Sequence, residues 1–417
     1  MGVKVYFKTV GCRVNQVETQ SLAEKFLGLG HVATDELGDA DVVVVNSCSV
    51  TEYADRDTFN FIKKTVASNP KARLVVTGCI ATLNPKKILE LAPGAAIFAN
   101  ADKEKIPYQL AGLPPKEDFF SVGGFSGRTR AFIKIQDGCS LGCAYCIVPS
   151  ARSEMKSKTA AAALTEIKKL IDAGFKEIVL CGTRLGMYKC SQTGKDLTAF
   201  MRDIFELPGD FRIRFSSLEP GEVSEELAGV LKNGGERFCD YFHLPLQAGS
   251  DAVLKEMGRP YTTAEYMTKL EILRKHFKEP GLFADVIVGY PTETDEQFAE
   301  SLAFVQDCFF AGLHVFRFSR RPGTRAYFLK PLPPEVVRDR AARLRALDLK
   351  LRISYAESMC GRSRKVLVLK SKSRKALGLA SNFLNVDLKG EFAPGTFVKV
   401  RILAASGGAC SGEPVQP

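Results

Sequence analysis

Residues 131–146 read AFIKIQDGCSLGCAYC, an apolar strand-like run that ends at Asp137-Gly138 and opens directly onto three cysteines. Cys139, Cys143 and Cys146 are spaced C-x3-C-x2-C, which puts three thiolates on one short loop. Three thiolates hold three irons of a [4Fe-4S] cluster and leave the fourth iron open. A small molecule with an amino and a carboxylate group can chelate that iron and receive one electron. A zinc knuckle is the competing reading, but zinc favours paired C-x2-C ligands with a fourth partner. No Cys or His stands within thirty residues on either side of the run.

Downstream of 131, strand-like runs recur: AFIKIQD, KEIVLCG, FRIRFSSLE, CDYFHLPLQ, GLFADVIVGY and LHVFRFS. Helical segments such as TAAAALTEIKKLIDAG and TTAEYMTKLEILRKHF lie between them. About six β/α units, rather than the eight of a closed barrel, predict a partial (β/α)6 barrel with one open side, over residues 130–352. The cysteine run follows its first strand, at the face where barrel enzymes place their chemistry. Residues 332–359 read as one long basic helix.

Upstream the pattern is also alternating. KVYFKTV precedes Gly11-Cys12, DVVVVNS precedes Cys48 and ARLVVTG precedes Cys79, with amphipathic segments between. Continuous apolar strands alternating with helices predict a doubly wound parallel sheet over residues 1–101. Ligands gather beyond the carboxyl ends of such strands, so Cys12, Cys48 and Cys79 are placed to converge. The alternative is that each is an ordinary buried thiol. The Pro-, Gly- and Phe-rich residues 102–129 read as a crossing linker. Cys181, Cys190, Cys239, Cys308, Cys360 and Cys410 show no ligand spacing. His243 is either a polar group at the barrel mouth or a structural histidine.

After the long helix, KVLVLKSKS, ALGLASNFLNVDL and GTFVKVRIL predict a small β-barrel over residues 353–405, followed by a flexible tail over 406–417. The chain has 417 residues, twelve cysteines and a formal net charge of +11. Such cysteine usage argues against a secreted disulfide scaffold and for metal or redox use inside the cell. No apolar run approaches a membrane span. The basic charge points to a polyanion. It concentrates in residues 361–378, with seven Lys or Arg and no acid, and in RFSRRPGTR at 317–325. Either stretch can also be only a solvated face.

The cysteine run, with Tyr145 directly before its last cysteine, resembles that of the radical SAM (S-adenosylmethionine) enzymes. The whole chain resembles the methylthiotransferases, which join a three-cysteine N-terminal domain, a radical SAM partial barrel and a C-terminal TRAM domain. Gly11-Cys12-Arg13-Val14-Asn15-Gln16 with Glu18-Thr19, and Asn46-Ser47-Cys48-Ser49-Val50-Thr51 with Ala54-Asp55-Arg56, are similar to the branch acting on threonylcarbamoyladenosine in tRNA. His314-Val315-Phe316 followed by Arg320-Arg321-Pro322-Gly323-Thr324 points the same way.

The resemblance implies two [4Fe-4S] clusters, one on Cys12, Cys48 and Cys79 and one on Cys139, Cys143 and Cys146. It also implies two SAM molecules per turnover, one methylating a sulfur and one activating carbon 2 of the adenine. The implied partners are a tRNA anticodon stem-loop and an electron donor such as flavodoxin or ferredoxin, in the cytoplasm. Tyr145 is expected to pack on the adenine of SAM, Gly182 and Thr183 to contact its amino group, and Ser216, Glu219 and Gln247 to bind ribose or carboxylate. Each is otherwise a turn or capping residue. Arg317, Arg320, Arg321, Arg325, Lys370, Lys372, Arg374 and Lys375 are expected to hold tRNA phosphates.

One stretch departs from the family pattern: Pro149-Ser150-Ala151-Arg152-Ser153 keeps Arg152 but lacks the usual aromatic and glycine. Competing readings are action on isopentenyladenosine in tRNA or on a ribosomal protein, and a non-catalytic Fe-S protein that binds RNA.

Overall fold

The computed structural model describes residues 2–125 and 127–415. The N-terminal domain runs β1 (Lys4–Thr9), α1 (Arg13–Gly28), β2 (Val32–Ala33), β3 (Val42–Ser47), α2 (Glu52–Ser68), β4 (Arg73–Gly78), α3 (Cys79–Leu83), α4 (Pro85–Leu91), β5 (Ala96–Phe98) and α5 (Ile106–Leu110). Its strands pair in parallel in the order β2-β1-β3-β4-β5. Every residue of the central strand VVVVNS is buried, as β-branched valines covered on both sheet faces should be. Because β1, β3 and β4 are neighbours, the residues that follow them meet along one edge of the sheet.

The central domain runs β6 (Arg130–Asp137), α6 (Val148–Ala151), β7 (Lys156–Ser157), α7 (Ala160–Asp172), β8 (Glu177–Gly182), α8 (Leu197–Phe205), β9 (Arg212–Phe215), α9 (Glu225–Asn233), β10 (Tyr241–His243), α10 (Asp251–Glu256), α11 (Thr263–His276), β11 (Gly281–Val288), α12 (Asp295–Asp307), β12 (Gly312–Arg317) and α13 (Pro334–Ser358). Six parallel strands form two arcs, β6-β8-β9 and β10-β11-β12, bridged at Ile213 and Phe238. The antiparallel β7 borders β6, and β12 is the other border, so the barrel is partial as expected.

Residues 102–129, expected as a crossing linker, are tied to both flanking domains. A 3-10 turn over Asn100–Lys105 leads into α5, whose Ile106 joins the core of Val5, Leu22 and Phe26. Lys25 then pairs with Glu104 and Asp118, and the amides of Val122 and Gly123 donate to Glu166 and Glu24. The segment's apolar and acidic residues find partners on both flanking domains, and that fixes its path.

The C-terminal barrel closes in the order β13 (Ser363–Lys372), β14 (Lys375–Ala380), β15 (Asn385–Lys389), β17 (Ala409–Pro414) and β16 (Phe397–Ser406). Here the expected flexible tail is corrected: residues 409–414 form β17, pairing with β15 and β16 and burying Cys410. Four strands alone would leave an exposed edge, and the fifth removes it. Beneath the central domain, Arg212 and Arg214 bind Glu177 and donate to the main-chain oxygens of Lys365, Leu379, Ala380 and Ser381 in this barrel.

Candidate active site

Cys12 caps α1, Cys48 leaves β3 and Cys79 opens α3, so the sheet order alone makes them neighbours. Gly11 brings the first two together at φ +111°, where an added Cβ would fall 2.4 Å from Cys48 Cβ and 2.9 Å from its Sγ. Gly78, at φ +97°, lies against the main chain of Ser47 in the same way. Burial pushes the Cys48 thiol up to about 12, and the nearby Cys79 and Cys12 add to the shift. The Cys12 thiol is also raised, by the protein packed around its sulfur and against the pull of Arg152, although the residue as a whole is exposed.

Cys139, Cys143 and Cys146 leave β6 on a loop anchored by Ala144, whose amide donates to Met257 O at 2.8 Å and whose carbonyl accepts from Ala326 at 2.8 Å. Gly138, at φ +83°, passes so close to Glu154 that a Cβ would fall 2.2 Å from its carbonyl oxygen. Arg259 Nη1 lies 3.2 Å from Cys143 Sγ, while its other nitrogens bind Tyr261 and Glu219. Burial raises the Cys146 thiol to about 12.

Each triad offers three thiols, the number of protein ligands that a [4Fe-4S] cluster with one open iron takes. Among the described residues, three ligand atoms lie within 4.8 Å of one another only at His243, Asp285 and His314. Sulfurs sharing one zinc at 2.3 Å each would be roughly 3.8 Å apart, and neither cysteine triad is drawn so tight.

One ionic group joins the two triads. Arg152 donates to Glu18 at 2.8 Å, to both oxygens of Asp137 at 2.8 and 2.9 Å, and to Asn15 Oδ1 at 2.8 Å. Lys134 binds Glu18 at 2.7 Å and Asp137 at 2.6 Å, and Lys103 also pairs with Glu18. Burial alone would raise the Glu18 carboxyl, but Arg152, Lys103 and Lys134 overcome it and hold it well below the usual carboxylate range. Glu18 and Asn15 lie on α1 just after Cys12, and Asp137 lies just before Cys139. The group therefore fixes the two cysteine loops relative to each other.

A family model described as the radical SAM superfamily matches residues 133–305, and one described as uncharacterized protein family UPF0004 matches residues 4–99. The threonylcarbamoyladenosine tRNA methylthiotransferase MtaB of Aquifex aeolicus is 32% identical, over 96% of this chain and 100% of its own length. The chain belongs to the radical SAM methylthiotransferase family. A tRNA-2-methylthio-N(6)-dimethylallyladenosine synthase of the same organism is 29% identical, over 99% of both chains. Among solved structures, the radical SAM methyltransferase TsrM of Kitasatospora setae shares the fold. Its TM-score is 0.59 at 14% identity, covering 78% of this chain and 75% of its own. Family membership brings a [4Fe-4S] cluster and SAM to the barrel of this methylthiotransferase.

Of the residues expected at SAM, Tyr145 is half-buried on the cluster loop and Gly182 ends β8 against Gln136. Thr183 donates to Asp137 at 2.8 Å, which ties it to the ionic group. Ser216 Oγ is buried and has no partner among the described residues. Glu219 binds Arg259. Gln247, at φ +72°, bridges to β11 through its main chain.

The basic residues divide. Lys370, Lys372, Arg374 and Lys375 are exposed at the β13–β14 hairpin, and Arg317, Arg320 and Arg325 are exposed beside the barrel mouth. Arg321 is corrected: it is buried against Ser49 and Asp55 of the N-terminal domain and is not free to meet phosphate. A cation within a charge run cannot be told from its neighbours until the fold supplies its partner. Sequence reasoning missed Asn15, Lys134, Asp137 and Arg259 as parts of the site. Asn15 lies within the Gly11–Gln16 run but shows no role of its own there, Arg259 gives no local signal, and Lys134 and Asp137 stand out only as charges in a strand that also carries Arg130 and Gln136.

Proposed function

We propose that this methylthiotransferase places a methylthio group on carbon 2 of N6-threonylcarbamoyladenosine next to the anticodon of tRNA, using two SAM per turnover. Cys139, Cys143 and Cys146 would hold the cluster that binds SAM, and Cys12, Cys48 and Cys79 a second [4Fe-4S] cluster. When bound, an iron with an open site supplies one-electron cleavage of SAM, which a C–H bond with no acidic proton requires. The chain's own residues set the geometry. Arg152, Glu18 and Asp137 fix one triad against the other, Arg259 steadies Cys143, and Ser216 and Thr183 offer hydroxyls at the strand ends.

The observation that carries this reading is the meeting of two cysteine triads across one buried ionic group. The relatives' names supply the substrate class. Exposed cations on the β13–β14 hairpin suit the tRNA backbone, which positions the anticodon loop without reading its sequence. A flavodoxin or ferredoxin is the proposed electron donor, and the cytoplasm the proposed location.

The test is anaerobic turnover of reconstituted protein with anticodon stem-loops carrying either threonylcarbamoyladenosine or dimethylallyladenosine, read by mass spectrometry of nucleosides. A gain of one methylthio group on the first supports the proposal. Modification of the second alone assigns the chain to the substrate of its 29% relative instead.

A further inference from the structure

His243 and the His314-Val315-Phe316 stretch have no part in the cysteine chemistry, yet the fold joins them. His243 ends β10, and His314 on β12 stands opposite Asp285 of β11. His243 Nε2 lies 2.7 Å and His314 Nδ1 3.1 Å from the same oxygen, Asp285 Oδ1. Burial would raise the Asp285 carboxyl, but the two rings hold it down to about 2. One carboxylate oxygen thus orients both imidazoles and uses one nitrogen of each. The remaining nitrogens, His243 Nδ1 and His314 Nε2, have no protein partner among the described residues.

The surroundings point the set toward a bound base. Side chains two apart on a strand share a face. The next register pair on this face is Ile287 with Phe316, and Phe316 is 43% exposed. On β10, Tyr241 shares the face of His243 and packs against Phe283 and Phe383, closing the far end of this wall. Two oriented rings and a bare aromatic ring therefore occupy one wall of the barrel.

We propose that His243 and His314, oriented by Asp285, form the subsite for the N6 substituent of the substrate adenine and bind a carboxylate carried on it, with Phe316 as a stacking surface for the ring. This rests on the threonylcarbamoyladenosine reading above. In its imidazolium form a ring donates one N–H to Asp285 and the other to the carboxylate of an acidic amino-acid substituent, whereas an alkenyl substituent offers nothing to it, so the subsite separates the two classes of base. Neutral rings would instead turn two lone pairs outward toward a cation, the competing occupant that the metal content measured below decides.

The experiment compares stem-loops carrying threonylcarbamoyladenosine as the free acid and as its methyl ester, with full-length reconstituted enzyme. Wild-type kcat/KM is expected to favour the acid by about tenfold to a hundredfold, the worth of one charge-assisted hydrogen bond. In His314→Phe the ratio should fall toward one, and His314→Gln, which keeps an N–H donor, should retain part of it. Iron content equal to wild type shows that the variants are folded and loaded. A wild-type ratio near one overturns the proposal without any variant, and so does an unchanged ratio in both variants. Loss of a stoichiometric metal beyond cluster iron in His314→Phe overturns it too, and makes the set a metal centre. Failure of wild-type protein on both loops, with activity on dimethylallyladenosine, removes the substrate reading and this subsite with it. That fault shows in the wild type rather than in the variants.

Discussion

Without the guanidinium of Arg152, the buried Glu18 would keep only Lys103 and Lys134, and the half-buried Asp137 only Lys134, the Thr183 hydroxyl and the Gly138 amide. Breaking one side of a buried ionic group costs roughly 3–5 kcal/mol, so Arg152→Ala is expected to lower the urea midpoint of the apoprotein markedly. Arg152→Lys should recover only part of the loss, since a lysine cannot span Asn15, Glu18 and Asp137 with one planar fork. Gly11→Ala tests a different residue. Its Cβ has no space beside Cys48 at φ +111°, so iron after reconstitution should fall from about eight per chain to about four. Iron unchanged at eight would mean that Cys48 shifts freely and that the close approach is unimportant. The cysteines were readable from sequence because their chemistry is local or repeats at strand ends. Arg152 was visible only as the retained residue of an altered loop, because its partners lie on α1 and β6, far away in the chain.

At the scale of elements, the two cysteine loops should separate in function. Replacing Cys139, Cys143 and Cys146 by Ala is expected to leave about four irons and abolish SAM cleavage. Cys12→Ala should keep cleavage while yielding no methylthiolated nucleoside, as measured by 5′-deoxyadenosine release and nucleoside mass spectrometry. Loss of cleavage in iron-loaded Cys12→Ala protein would overturn this division. The β13–β14 hairpin makes another claim. Replacing Lys370, Lys372, Arg374 and Lys375 by Ala should weaken tRNA binding and lessen the slope of log affinity against log salt by about 0.9 for each phosphate that is no longer neutralised. A slope equal to wild type would reduce these charges to a solvated face. Strand and helix alternation was legible throughout, since apolar runs and helical periodicity are short-range patterns. The tail was misread because Gly and Ser dominate it, and the alternating burial of Cys410 and Gly412 becomes meaningful only once β15 and β16 stand on either side.

Across the whole molecule, Glu177 ties the central domain to the C-terminal barrel by orienting Arg212 and Arg214. Burial would raise its carboxyl, but the arginines hold it below the usual range. A depressed carboxylate contributes stability that is present above its unfolded value of about 4.3 and is lost as pH falls through its folded one. The stability gap between wild type and Glu177→Gln should therefore be constant above about pH 5 and shrink in acid, as followed by urea unfolding across pH. A gap independent of pH would mean that Glu177 is not ionised in place. The domain order was legible from the sequence, but this joint was not, because Arg212 and Arg214 read only as charges within a strand.

Their hydrogen-bond targets in the small barrel are carbonyl oxygens of the main chain at residues 365, 379, 380 and 381, while the rings of Phe397 and Phe383 lie against the two guanidiniums. Docking there reads the course of a backbone together with a few side chains, since Arg364 pairs with Asp240 and Glu279 and Lys365 with Asp210 and Glu236. The barrel's outer residues away from these are free to vary, and a barrel of the same strand register grafted from another chain should seat as well as the native one only if it keeps them.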